Sequence, residues 1–161
     1  MILSVGLDAA LGMDYTLLER AHRDHKRVIE LESMDAQMDT LLSLPEDVID
    51  QEIQAMLTYP QEAGQAMRML YDAWRAGDEE TLLLFLELQN EAGEAAPDAG
   101  YDEFSQVLIE DRNQGFEEQA AACLKSGETV LIAIGAFHIL GEDGLAARLA
   151  RAGYEVQEIG R

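Results

Sequence analysis

Apolar residues recur at three- and four-residue steps through most of the chain, and two short stretches interrupt them: 28–32, where Ile29 and Leu31 alternate with Glu30 and Glu32, and the unbroken aliphatic run 130–134. The first spacing covers one face of an α-helix, whereas the two stretches suit short strands. Tyr15, Leu17, Leu18 and Ala21 predict a helix with Asp14 as its N-cap, and Arg20, Arg23, Lys26 and Arg27 crowd its C-terminal end, where the dipole favours cations. Pro45 with Glu46 and Asp47 marks a second helix start. Pro60 opens a third, with Met67, Leu70, Tyr71 and Trp74 on one face and Gly77 beyond its end. Asp78 caps the next, whose inner face is Leu82, Phe85 and Leu86. Residues 91–100, rich in Ala, Gly and acids with Pro97, read as a loop. Residues 2–5 are open between a short strand and a helix.

A long helix is predicted over 101–125, ending at Gly127. Phe104, Leu108, Gly115 and Ala122 share one side of its wheel, and Ile109, Phe116 and Cys123 lie about a third of a turn away. Arg112 falls between these stripes, where a lone cation is costly, so it is expected to meet a carboxylate. The candidates are Glu32, Asp111 or the carboxylate of a ligand, all suited to the guanidinium fork.

The last thirty or so residues, 128–161, read as strand 130–134, a glycine-punctuated turn, a helix over 142–152 closed by Gly153, and strand 154–159. Strand, helix, strand is a βαβ unit, expected to be parallel and right-handed. The whole is therefore read as one α/β domain, 1–161. It is helix-rich, with a small mainly parallel sheet and a large helical insertion over 34–100. His138 lies just past the 130–134 run, where ligands collect in open α/β sheets.

Charge narrows the partners. Thirty-two acidic residues against eleven basic give a net charge of −21, a surface that repels phosphate backbones and anionic membranes. Cys123 is the lone cysteine, which excludes an internal disulfide and a thiolate metal cluster. No apolar run reaches the roughly 18 residues of a membrane span. The first residues lack the basic region of a signal peptide, so the chain as written is expected to be cytoplasmic, and extracytoplasmic if the natural chain is longer. His22 and His25 have a spacing that two metal ligands could share, with nothing nearby to complete a site.

Gly135, Ala136, Phe137 and His138, followed by Ile139, Leu140, Gly141, Glu142, Asp143, Gly144 and Leu145, resemble the C-terminal Gly-x-x-His signature of the bacterial TraB/GumN family, which also contains the Tiki metalloproteases. Phe137 departs from the small residue expected before the histidine, which bears on the width of the pocket. Asp111, Arg112 and Asn113 resemble the family's Asp-Arg-Asn segment, and Glu32 aligns with its characteristic glutamate, although Glu30 stands where a glycine is usual.

The resemblance implies half of a duplicated (EreA/ChaN-like) fold, because no second Gly-x-x-His precedes Gly135. It also implies a divalent-metal-dependent hydrolase of peptidase type, acting on a peptide or protein. In that reading Glu32 and His138 are catalytic and hold Mn, Co or Zn, Arg112 and Asn113 bind substrate, and Gly135, Gly141 and Gly144 shape the turn. One histidine and one carboxylate fall short of a catalytic metal's ligands, so the chain is a fragment, or a second copy completes the site in a homodimer, the arrangement expected here, or the site is not catalytic. The alternative is a non-catalytic module that binds a peptide or pheromone. A third reading, haem held by one axial histidine, rests on analogy with α/β haem proteins.

Overall fold

The computed structural model describes residues 6–95 and 106–159. Within them the chain is helical: α1 (Met13–Arg23), α2 (Met34–Leu42), α3 (Glu46–Thr58), α4 (Pro60–Ala76), α5 (Glu79–Ala95), α6 (Asp111–Lys125) and α7 (Leu145–Arg151). Short 3-10 turns stand at Ala9–Leu11 and Ala136–His138, and a π turn over Gln106–Glu110 runs directly into α6.

Local chemistry accounts for many of the helix boundaries. Ser33 caps α2 by accepting from the Ala36 N–H, and Asp78 caps α5 by accepting from the Thr81 N–H and hydroxyl. Pro60 occupies the first turn of α4, and Gly77 ends that helix in the left-handed conformation, φ 65°. At the end of α1 the same turn is made by His25, φ 52°: its N–H donates to the His22 carbonyl and the Lys26 N–H to that of Ala21. His22 and His25 are thus exposed residues of a helix end, as their surroundings in the sequence suggested. The N-cap of α1 is Gly12 rather than Asp14, which lies in the first turn. Residues 91–95, read as loop, continue α5, and α7 is shorter than the expected 142–152. The expectations for 2–5, for 96–100 and for the start of the 101–125 helix lie outside the described residues.

The α/β expectation is overturned. Among the described residues there is no strand and no sheet, hence no βαβ unit. Segments 28–32, 130–134 and 154–159 run without helix or ladder hydrogen bonds to one another. In 130–134 the period of two survives: Ile132 and Ile134 are partly covered, while Leu131 is 75% and Ile159, in the last segment, 91% exposed. Aliphatic composition alone does not make a strand, because strand stability comes from cross-strand packing and backbone pairing. The haem analogy, which leaned on an α/β fold, falls with it.

Burial is concentrated in two places. Val48, Ala73 and Leu82 are buried on α3, α4 and α5, which pack in sequence. Phe116, Ala120 and Leu145 are buried on α6 and α7, which pack together. Phe85 of α5 stacks on Phe137 at 6.2 Å between ring centroids, and Leu83 lies against Gly141, so α5 braces the 136–144 turn from outside. The candidate site lies on the other side of that turn.

Candidate functional site

Three parts of the chain far apart in sequence deliver polar groups to one point: the 28–32 segment with Glu32, the start of α6 with Arg112 and Asn113, and the 3-10 turn with His138. Arg112 makes a fork on Glu32, Nε donating to Oε2 at 3.1 Å and Nη2 to Oε1. Its Nη1 donates to the Leu108 carbonyl, in the π turn, at 3.0 Å and stands 3.4 Å from His138 Nε2. Of the carboxylates proposed for Arg112, Glu32 is the one it pairs with, while Asp111 accepts from Gln106 instead. Gln37 of α2 reaches Glu32 Oε1 at 3.5 Å.

Asn113, only 1% exposed, determines the state of the histidine. Its Nδ2 donates to the Asp143 carbonyl at 2.9 Å, which orients the amide so that Oδ1 faces His138 Nδ1 at 2.8 Å. An amide oxygen only accepts, so Nδ1 must carry the proton. In the neutral ring Nε2 is then the basic nitrogen, and it receives the Arg112 Nη1–H. Burial first, and the Arg112 guanidinium second, hold the imidazole below its ordinary pKa of 6.5, against an opposing pull from the Glu32 carboxylate. At neutral pH the ring is therefore uncharged with one tautomer selected.

Phe116, one helical turn beyond Arg112, completes the enclosure. Its ring meets His138 edge-to-face at 5.1 Å, and the Arg112 guanidinium lies 5.5 Å from its centroid. The sequence reading placed Phe116 in an apolar stripe and missed this role, although the four-residue step from Arg112 puts both on one face. It also missed the Asp143 carbonyl and Gln37, contacts made by backbone or by a distant segment that carry no motif. Phe137, which raised the question of pocket width, turns toward α5, its ring stacked on Phe85.

The turn glycines differ in what they do. A Cβ on Gly144 would lie 2.2 Å from the Ile139 carbonyl oxygen and 2.3 Å from that of Leu140, so only glycine fits. Gly141 adopts φ 75°. Gly135, at φ −59° and ψ 146°, has ordinary geometry, and a Cβ there would meet His138 Cδ2 at an unstrained 3.6 Å.

The donor set does not fit a metal centre. Both Glu32 oxygens and His138 Nε2 are directed at Arg112, and among the described residues no group of three His, Cys, Asp or Glu side chains stands together. Two donors shared with a guanidinium are short of the roughly three that a catalytic metal requires. The metal-binding, metalloprotease-type reading of Glu32 and His138 is corrected accordingly.

Residues 2–158 match the TraB/PrgY/gumN family over nearly the whole chain. The chain belongs to the TraB/PrgY/gumN family. It is 30% identical over 148 residues to the uncharacterised protein YbaP of Escherichia coli K12, and equally to the uncharacterised YbaP of Shigella flexneri. These alignments cover 90% of this chain and 50% of each relative, so the chain spans about half the length of the curated relatives it matches. No solved structure matches it. The match is to the TraB/PrgY/gumN family at large. Among the described residues no helix is long and apolar enough to cross a membrane.

Proposed function

We propose that this TraB/PrgY/gumN-family chain carries a hydrolase site of peptidase-like type, in which His138 is the general base and Arg112 orients the substrate. The observation that carries the reading is the selected tautomer: Asn113 holds Nδ1–H, leaving Nε2 as the basic nitrogen of a neutral, half-buried ring. A base of this kind, poised below neutral pH, takes a proton from water while the water oxygen attacks an amide or ester carbonyl. The proton then passes to the departing amine or alcohol, and the remaining N–H capacity of Arg112 meets the developing oxyanion. The 3.4 Å separation of Arg112 Nη1 from Nε2 is at the outer edge of hydrogen bonding, so a water between them replaces only a weak contact.

A second copy of this chain is proposed to pack on the exposed apolar segments beside the site. Val28, Ile29, Leu131 and Ile159 present exposed apolar side chains on segments without ladder partners among the described residues.

The test is turnover of a panel of chromogenic peptides and esters by wild type and His138→Gln, with sedimentation run alongside. A loss of about a hundredfold or more in the variant is expected; equal turnover would remove His138 from the chemistry.

A non-catalytic peptide-binding module is the second reading. It is favoured by one feature: Nε2 faces a guanidinium rather than open solvent. Peptide binding by calorimetry, with no turnover in either protein, would select it.

A further inference from the structure

The hydrogen bonds that orient Asn113 continue one residue further than the site. The Asp143 carbonyl oxygen, which accepts from Asn113 Nδ2 at 2.9 Å, also accepts from Arg148 Nε at 2.8 Å. A carbonyl oxygen has two lone pairs, and these two donors use both. Arg148 rises from α7, its side chain only 19% exposed, and its guanidinium reaches Glu117 of α6 at 3.5 Å as well as the Asp143 carboxylate at 3.9 Å. Glu117 is four residues beyond Asn113, one turn along the same helix. Arg148 therefore fastens the 139–144 turn to the stretch of α6 that presents Asn113, and does so at the very oxygen on which the amide depends.

We infer that Arg148 is a positioning residue for His138, selecting its tautomer through the Asp143 carbonyl and the Asn113 amide. The inference deepens the reading of His138 as a base, and rests on that reading for its functional meaning. With Arg148 in place, the carbonyl is held where only the Nδ2 end of the amide fits, so Oδ1 is committed to the Nδ1–H of the ring. Without it, the carbonyl is free to turn away. The amide then loses its fixed acceptor and rotates, so that either end meets Nδ1, and against only the weak 3.4 Å contact from Arg112 Nη1 the Nε2–H tautomer becomes populated beside the Nδ1–H one.

Arg151 supplies the internal comparison. It lies on the same helix and bonds the neighbouring Glu142 carbonyl and the Asp143 carboxylate, without touching the Asp143 carbonyl. Removing it costs the same charge and disturbs the same turn, yet leaves the relay intact.

The experiment is long-range proton–nitrogen NMR of the imidazole rings at a pH well above 6.5, where the ordinary imidazole is neutral. His138→Gln assigns the signal against His22 and His25. Wild type is expected to show the Nδ1–H tautomer alone, Arg151→Gln the same, and Arg148→Gln a mixture of both tautomers. Arg148→Lys keeps the charge and the stem but lacks the Nε–H, so it too should give a mixture, and it serves if Arg148→Gln does not fold. A single Nδ1–H tautomer in a folded Arg148 variant would overturn the inference, as would an equal mixture in Arg151→Gln. Because the readout is a tautomer and not turnover, a chain that hydrolyses nothing still answers the question.

Discussion

Asn113 is the residue on which the site's geometry turns, because a buried amide with two committed partners cannot be replaced by shape alone. Asn113→Leu leaves the His138 Nδ1–H and the Asp143 carbonyl short of a partner, and is expected to cost about 2–3 kcal/mol, read as a lowered urea midpoint with unchanged slope. His138 contributes a pH dependence of defined sign. Its folded pKa lies below 6.5, so as pH falls the unfolded chain takes up the proton first. The stability tied to this residue is complete above about 6.5, and is lost as pH drops from there toward the folded value. His138→Gln should flatten the stability curve in that window, as followed by thermal melts. At this scale the sequence was informative. Arg112 stood between two apolar stripes and had to meet a carboxylate, and it meets Glu32, one of the candidates named. That Asn113 would bond the histidine was not legible, since the bond depends on where the turn after 130–134 comes to rest.

At the scale of elements, the turn between Ala136 and α7 is held by glycines of unequal weight. Gly144→Ala drives a methyl into two carbonyl oxygens and should cost about 3 kcal/mol or displace the turn, whereas Gly135→Ala has room and ordinary dihedrals and should change stability by less than about 1 kcal/mol. Parallel denaturant titrations of the two variants test this contrast. If Gly135→Ala folds normally but alters turnover or peptide binding, its missing Cβ matters to the ligand rather than to the fold. The helices were read well because their signals are local. Asp78 capping the Thr81 N–H, Pro60 in a first turn and Gly77 at φ 65° each need only a few neighbouring residues. The three segments read as strands, one an aliphatic run and two alternating with polar residues, were misread because pairing is not local: such a pattern supplies a surface for a sheet but not the neighbour that makes one.

The whole molecule carries a net charge of −21, and its compact form works against that repulsion. Raising salt from about 0.01 M to 0.15 M shortens the screening length from roughly 30 to 8 Å. The melting temperature should therefore rise, by about 2–4 °C for each kcal/mol of repulsion relieved. A melting temperature that falls with salt would mean that attractive pairs such as Arg112–Glu32 outweigh the repulsion. The same charge and the exposed apolar segments oppose each other in self-association, so sedimentation is most informative at the higher salt.

The sequence by itself determined most of the helices and several of their caps, because propensity and capping act over a turn or two of chain. Tertiary structure alone decided that no strand forms among the described residues. It also decided that Glu32, Arg112 and His138 meet across more than a hundred residues of chain. Their meeting is what ties the would-be metal donors to a guanidinium. Such outcomes depend on which distant surfaces come into contact, and on how burial and neighbouring charge then act on the groups brought together.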